Sequence, residues 1–329
     1  MKDALLVNIV YPSIGGVLIR GEKGTAKSTT VRAAADLLPE REVIKGCMFR
    51  CGITGTRELC KECREKMASG EPPEYDRVRM RVVELPLCAT EDRVAGTLDI
   101  EHAIMVGAKK FEPGVLATAN GNILYVDEVN LLDDHIVDLL LDAAAMGVNF
   151  VEREGISYSH PARFLLVGTM NPEEGDLRPQ LLDRFGLVVD VEGEKESARR
   201  SEVVRRRLEF ERDPVAFRRR FEPEQEALRN RIIRAKEKIS AIEADDLLIE
   251  TAVDISLAMG VDGHRADLTL VRTALAFAAL DLQERVNREH VIRSAGLSLP
   301  HRMRRRPFDE SRADTGTIRA LIEERYKSP

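Results

Sequence analysis

No apolar run in this 329-residue sequence approaches the roughly 18 residues that a membrane-spanning helix needs. The N-terminal stretch MKDALLVNIVYPS is apolar only briefly and lacks a small-residue cleavage site, which argues against a secretory signal. Net positive charge is missing too. A formal charge of −6 argues against a chain whose main work is coating nucleic acid, although local basic patches remain open. Tryptophan is absent and aromatics are few; no low-complexity tract or internal repeat is evident. Five cysteines without an export signal do not read as a disulfide framework; they read as metal ligands or free thiols, and the cytoplasm is the expected location. What is present is a globular composition, 43% hydrophobic and 32% charged, long enough for one large or two medium domains with a real core.

The order of elements is legible from periodicity. Val17-Leu18-Ile19, preceded by Gly15-Gly16, predicts a buried strand. GEKGTAKS follows at 21–28, and TTVRAAADLLPE has helical periodicity up to Pro39. Strand, glycine-containing loop and helix is the context that a phosphate loop requires. Residues 41–80 break the pattern: they carry four cysteines and an exposed stretch, SGEPPEYDR. RVVELPL predicts a strand, and ATEDRVAGTLDIEHAI predicts a helix entered at Thr90. Further strands are expected at NILYV, FLLVGTMN and LVVDVEG, with helices at HIVDLLLDAAAM and LRPQLLDRF. NFVEREGISYSHPA predicts a hairpin turning at Glu154-Gly155. After Gly193 long charged helices dominate. The expected division is an α/β domain over 1–193 with a Cys-rich insert at 44–80, a charged helical linker over 194–240 and a small helical domain over 241–329.

Chemistry gathers at the strand ends. The loop Gly21, Glu22, Lys23, Gly24, Thr25, Ala26 and the helix start through Thr29 would cradle phosphates with backbone N–H groups. Lys27 would reach the β/γ-phosphates and Ser28 would bind Mg²⁺. Ala26 stands where the common pattern has glycine, and its methyl reads as a mild change; a chance turn before a helix is the bland alternative. The apolar strand ILYV ends in Asp127 and Glu128, at the edge where α/β sheets bind ligands. Asp127 would hold the Mg²⁺ shell and Glu128 would polarise the attacking water. Asn171, ending another strand, would orient that water; otherwise it is a turn residue before Pro172. Arg184 in LLDRF is a candidate arginine finger, a device that supplies about 10³–10⁵ in rate, and it could serve a neighbouring subunit. Its bland reading is an ion pair with Asp183. Arg265 in GVDGHRADL could close over the γ-phosphate from the C-terminal helices, yet Arg at a helix start is unremarkable.

Cys47, Cys51, Cys60 and Cys63 are spaced C-x₃-C-x₈-C-x₂-C. Two close pairs suit a tetrahedral thiolate site for Zn²⁺; thiolates also suit an iron–sulfur cluster, and free thiols on a loop are the third reading. A metal here would be structural, because a small insert with few apolar residues needs a staple to fold. Cys88, alone in an apolar segment, is expected in the core. The runs Arg205–Arg207 and Arg218–Arg220 are interleaved with Glu and read as solvated faces, while Arg304–Arg306 could contact a partner.

These elements, in this order, resemble the AAA+ ATPases. The stretches IGGVLIRGEKGTAKST, ELPLCATEDRVAGTLDIE, FEPGVLA, ILYVDEVNLLDDHIVDLLLDAAA, VEREGISYSHPARFLLVGTMNPEEGDLRPQLLDRFGLVVDV and LPHRMRRRP resemble the ATPase (I) subunit of magnesium chelatase over nearly the whole chain. The resemblance implies a P-loop three-layer αβα sandwich with β-hairpin inserts, followed by an all-α lid, with ATP and Mg²⁺ as ligands. It implies an insertion near 96–113 that interrupts a helix and a hairpin at 149–162, placed where ring assemblies contact partners. It further implies a hexameric ring whose ATP hydrolysis powers Mg²⁺ insertion into protoporphyrin IX by a large subunit, bridged by a D subunit with an integrin-like metal-binding domain.

The chain departs from that family in three places. The family's adenine-packing φxxIVGQ segment would lie just before Met1, so either the chain starts earlier or the adenine pocket is incomplete. The Cys cluster is foreign to the phototroph I subunits and resembles inserts in relatives from non-photosynthetic prokaryotes, linked there to cobalt chelation for corrinoids. There is no Pro-rich acidic linker and no D-x-S-x-S, since Asp254-Ile-Ser256 stops short, which makes the chain I-type and not D-type. Readings from other classes are an AAA+ remodeller or helicase-like DNA motor, opposed by the acidic charge, and a non-catalytic ATP-binding scaffold, opposed by the intact Lys27, Asp127, Glu128 and Asn171 set.

Overall fold

Five short apolar runs lie side by side in one parallel sheet, and their C-terminal ends set the position of the chemistry. The computed structural model describes residues 1–52, 59–70, 73–99, 110–153, 156–303 and 315–326. The chain opens with α1 (Lys2–Val10), β1 (Val17–Gly21) and α2 (Lys27–Asp36), followed by an insert of β2 (Arg41–Ile44), α3 (Lys61–Ala68) and β3 (Tyr75–Val78). Next come β4 (Val82–Leu85), α4 (Glu91–Ala95), β5 (Gly96–Asp99), β6 (Lys110–Pro113), α5 (Val115–Ala119), β7 (Ile123–Val126) and α6 (Asp134–Met146). The hairpin β8 (Val148–Arg153) and β9 (Ile156–Pro161) leads into β10 (Leu165–Met170), α7 (Pro179–Leu182) and β11 (Leu187–Val191). The remainder is helical: α8 (Ser197–Arg212), α9 (Pro214–Lys238), α10 (Asp246–Ala258), α11 (His264–Leu280), α12 (Arg288–Ser298) and α13 (Thr315–Arg325).

The sheet order is β11-β1-β10-β7-β4, with every pair parallel. Strand alternation sends successive residues to opposite faces. Val17, Ile19, Ile123 and Tyr125 pack with α1, α2 and the C-terminal helices, while Leu18, Leu124 and Val126 pack with α6 and the α7 region. Both faces are therefore covered, as a parallel sheet requires. On the charged helices Arg205 and Arg206 pair with Glu202, and Arg207 pairs with Glu211. Among the described residues no helix is long and apolar enough to cross a membrane.

Two local readings differ from the structure. The helix expected from Thr90 onward stops at Ala95, because Gly96 adopts φ +95° and opens β5. A Cβ there would lie 2.6 Å from the Glu112 carbonyl, so only glycine lets β5 turn onto β6. Residues 100–109 of the expected insertion, the turn at Glu154-Gly155 and Arg304–Arg306 lie outside the described residues. Cys88 is exposed, not core; Leu85 and Ala89 take the buried positions beside it. Finally, α1 had no amphipathic signature because Ala4 to Val10 are buried on every face, against α2, α9 and α11.

Arg302, just beyond α12, locks the C-terminal helices to the sheet. Its side chain is 1% exposed. It donates to the carbonyls of Asp183 (2.9 Å), Phe185 (2.7 Å), Gly186 (3.1 Å) and Ser298 (2.6 Å), and to the Asp183 carboxylate (3.1 Å). Burial lowers its pKa to about 10, with Asp183 opposing the shift. Truncation would leave these acceptors buried without a donor. Arg302→Ala should cost at least about 1–3 kcal/mol, the range for leaving a buried acceptor without its donor. Urea unfolding would show this as a lower midpoint; an unchanged midpoint contradicts the role given to Arg302.

Candidate functional site

The loop after β1 is shaped by close backbone approach. A Cβ on Gly21 would lie 2.2 Å from the Val191 carbonyl of the adjacent β11, so glycine is required there. Residues 22–24 are exposed, and Thr25 ties the loop by donating to the Glu22 carbonyl at 2.9 Å. Lys27 curls back, its ammonium donating to the carbonyls of Gly21 and Glu22. Ser28 and Thr29 are exposed in the first turn of α2, whose N-terminus has no side-chain cap. Its first N–H groups are thus left for an anion. The Ala26 methyl is less mild than expected. Ala26 sits at φ 57°, ψ 28°, a left-handed conformation that costs an L-residue about 1–2 kcal/mol.

The acids follow β7, and β10 lies between β7 and β1. The sheet therefore brings the loop, Asp127, Glu128 and Asn171 to one edge. Asp127 Oδ1 accepts from the Tyr125 hydroxyl at 2.9 Å and the Thr169 hydroxyl at 2.5 Å. Burial pushes the Tyr125 phenol up to about 12, so it keeps its proton as a donor. Thr169 also accepts from the Glu128 N–H at 3.2 Å. Glu128 holds φ +50°, a strained backbone of the kind that clusters at functional sites. Its carboxylate lies 3.7 Å from the Lys23 ammonium, which also contacts Glu174 at 2.5 Å. The hydrogen bond and charge of Glu174 hold Lys23 above its ordinary pKa. Asn171 is buried, and its Oδ1 accepts from the Glu173 N–H at 3.3 Å, so it caps the turn entered by Pro172.

The two arginines lie elsewhere. Arg184 pairs with Asp138 and Asp142, one helical turn apart on α6, and not with Asp183. Asp183 is held instead by Arg302 and by Arg265, whose Nη1 lies 2.8 Å from it. Sequence reasoning missed Tyr125, Thr169, Glu174 and the Asp138–Asp142 pair. Thr169 had a usable signal: it is the one hydroxyl in a strand whose six residues are all buried.

The four cysteines converge. Cys47, Cys51, Cys60 and Cys63 place their Sγ atoms within 4.8 Å of one another, with Cys47 and Cys60 at 3.9 Å. A tetrahedral ion with Zn–S bonds of about 2.3 Å needs sulfurs about 3.8 Å apart, so one ion fits. A multi-iron cluster would spread its thiolates more widely. The Cys60 N–H donates to Cys51 Sγ at 3.1 Å. Hydrogen bonds from the Cys51 and Cys60 thiols push Cys47 far below the usual thiol range, while the shared proton pushes Cys51 up.

Residues 97–180 match the family model "Magnesium chelatase, subunit ChlI", and residues 249–324 match "AAA lid domain". The chain is similar to the magnesium-chelatase subunit ChlI homolog of Methanocaldococcus jannaschii, 55% identical over 98% of this chain and 88% of that one. The chain belongs to the magnesium chelatase ChlI family. It is also similar to the magnesium-chelatase 38 kDa subunit of Acidiphilium rubrum, 49% identical over 98% of this chain and 93% of that one. A structure of the complex between subunits BchI and BchD of magnesium chelatase, built on a 7.5 Å cryo-EM reconstruction, matches with 46% identity and a TM-score of 0.53 over 99% of this chain and 95% of that one. The ChlI-family fold is thus the AAA+ arrangement expected from the sequence, a sheet covered on both faces and an AAA lid.

The strain at Ala26 yields a test within this family. Ala26→Gly should stabilise the chain by up to about 1 kcal/mol, read as a higher thermal midpoint. A lower midpoint would show that Ala26 is unstrained.

Proposed function

We propose that this ChlI-family chain is the ATP-hydrolysing motor subunit of a metal chelatase, driving metal insertion into a tetrapyrrole by a large partner subunit. The observation that carries this is the meeting of the phosphate loop, Asp127, Glu128 and Asn171 at one sheet edge in a chain 55% identical to a ChlI homolog. Gly21 to Thr29 bind the triphosphate through loop N–H groups, the α2 N-terminus and Lys27. Ser28 and Asp127 are the residues fitted to hold Mg²⁺. Both donors to Asp127 fall on Oδ1, which leaves Oδ2 for a cation shell. Mg²⁺, when bound, neutralises charge on the β/γ oxygens. Glu128 orients and polarises the attacking water, helped by Asn171, once Lys23 releases its carboxylate.

Arg184 acts across a subunit boundary in a ring, most simply a hexamer. Arg184 is held on α6 by Asp138 and Asp142 and is paired with neither Asp127 nor Glu128 in its own chain, which supports reading it as the residue offered to a neighbour. Arg265 reaches the γ-phosphate from the lid by exchanging its Asp183 contact. The BchI–BchD likeness supports a D-type partner. The working division is a core over 1–193 with its insert, a linker over 194–240 and a lid over 241–329. The four cysteines hold one structural Zn²⁺, supported by the single-ion sulfur spacing. Ordered thiols without a disulfide suit the cytoplasm.

Two experiments decide the site. Lys27→Ala should lose nucleotide binding, whereas Glu128→Gln should bind ATP yet hydrolyse it about 10²–10⁴-fold more slowly. Normal turnover in either variant removes the site assignment. Arg184→Ala should lose hydrolysis and regain part of it when mixed with Lys27→Ala chains, since each supplies what the other lacks. Absence of rescue in mixed rings contradicts the trans role.

A further inference from the structure

We infer that the ion at Cys47, Cys51, Cys60 and Cys63, given that these thiolates hold Zn²⁺ as proposed, is a clamp: it fixes Phe49 as a wedge that binds both β-hairpins to the ATPase core. Phe49 lies between the first two ligands in the C-x₃-C loop, and its side chain is fully buried. Its ring stacks on His160 of β9, with centroids 4.6 Å apart and planes 13° apart. The same ring lies 6.1 Å from Phe111 of β6, which itself stacks on Tyr158 of β9 at 4.3 Å. One side chain thus touches the β5–β6 pair and the β8–β9 hairpin together.

The packing around Phe49 is thin. Its apolar cluster holds ten buried residues, and three of them are the ligands Cys51, Cys60 and Cys63. The others come from the insert and from Ala95, Phe111, Ala117 and Val151 around the hairpins. This cluster is separate from the two that cover the sheet. A core this small does not order a chain by apolar burial alone. The ion supplies what is missing by fixing the loop from both ends.

Backbone geometry agrees. Arg50, between Phe49 and Cys51, holds φ +48°, and its N–H donates to the Cys47 carbonyl at 3.0 Å. A left-handed Arg persists only where its surroundings hold it there. The Phe49 carbonyl accepts from Asn120 Nδ2 at 2.7 Å, which joins the loop to the start of β7. At the hairpin base, Asn149 Nδ2 donates to the Ala95 carbonyl at 2.8 Å and lies 3.0 Å from His160 Nε2. The β5–β6 pair leads through α5 into β7 and Asp127, and the β8–β9 hairpin leads into β10 and Asn171. The clamp therefore sets how firmly the hairpins are coupled to the strands that carry the site.

The test is hydrogen exchange on the full chain, with zinc measured by elemental analysis. Wild type should hold about one zinc per chain, Cys60→Ser should lose it and Phe49→Ala should keep it. Both variants should exchange amides of β8, β9 and β6 at least about tenfold faster, with β1 and β7 amides and ATP binding unchanged. Wild-type protection of the hairpins in Phe49→Ala, or in zinc-free Cys60→Ser, overturns the clamp while leaving the metal reading intact. A wild-type chain without metal overturns the metal reading itself. Because Phe49→Ala leaves every ligand in place, general unfolding of the Cys60 variant cannot mask the result.

Discussion

The Arg302 guanidinium satisfies three carbonyls and one carboxylate of the turn from Asp183 to Gly186 while it is buried beneath the lid helices. That turn is crowded from both sides, since a Cβ on Gly186 would lie 2.1 Å from the Ile14 carbonyl. Within it, Asp183 faces Arg302 and Arg265, and the next residue, Arg184, faces α6. Four residues thus carry the lid anchor, the lid arginine's partner and the candidate finger. Any rotation of the lid on the sheet must pull on the backbone that presents Arg184. On the proposed reading this links closure over one nucleotide to the arginine offered to the next subunit.

The second constraint is the strand order. Placing β10 between β1 and β7 puts Thr169 where it can donate to Asp127 and accept from the Glu128 N–H. A hydroxyl does this without adding charge beside two carboxylates. Lys23 then bridges Glu128 and Glu174 across the mouth of the loop. The base proposed for hydrolysis is therefore engaged by the loop proposed to bind phosphate. On that reading a triphosphate in the loop would compete for Lys23 and free Glu128, coupling binding to activation through ordinary electrostatics.

Much of this was legible in the sequence where the signal was local. The buried strands, the glycine-containing loop after β1 and the position of Asp127-Glu128 at the end of β7 follow from short apolar runs and their endings. The cysteine spacing pointed to a thiolate site, and the four sulfurs converge. What stayed hidden depends on distant partners or on backbone conformation. An all-round buried helix such as α1 has no polar face to give it a period. Gly96 ends α4 through a positive φ and a carbonyl contact that no propensity reveals. Arg184 was weighed against Asp183, its neighbour in sequence, yet its partners lie on α6 more than forty residues upstream. Phe49 against His160 joins positions more than a hundred residues apart, so no window could find it.

The central claim is that the hydrolytic site is completed only when a neighbouring chain supplies Arg184. The most direct measurement is specific ATPase activity over a wide range of protein concentration, with the assembled fraction followed by sedimentation velocity. Activity per chain should rise in step with assembly and vanish in dilute monomer. Full specific activity in a monomeric chain would contradict the account.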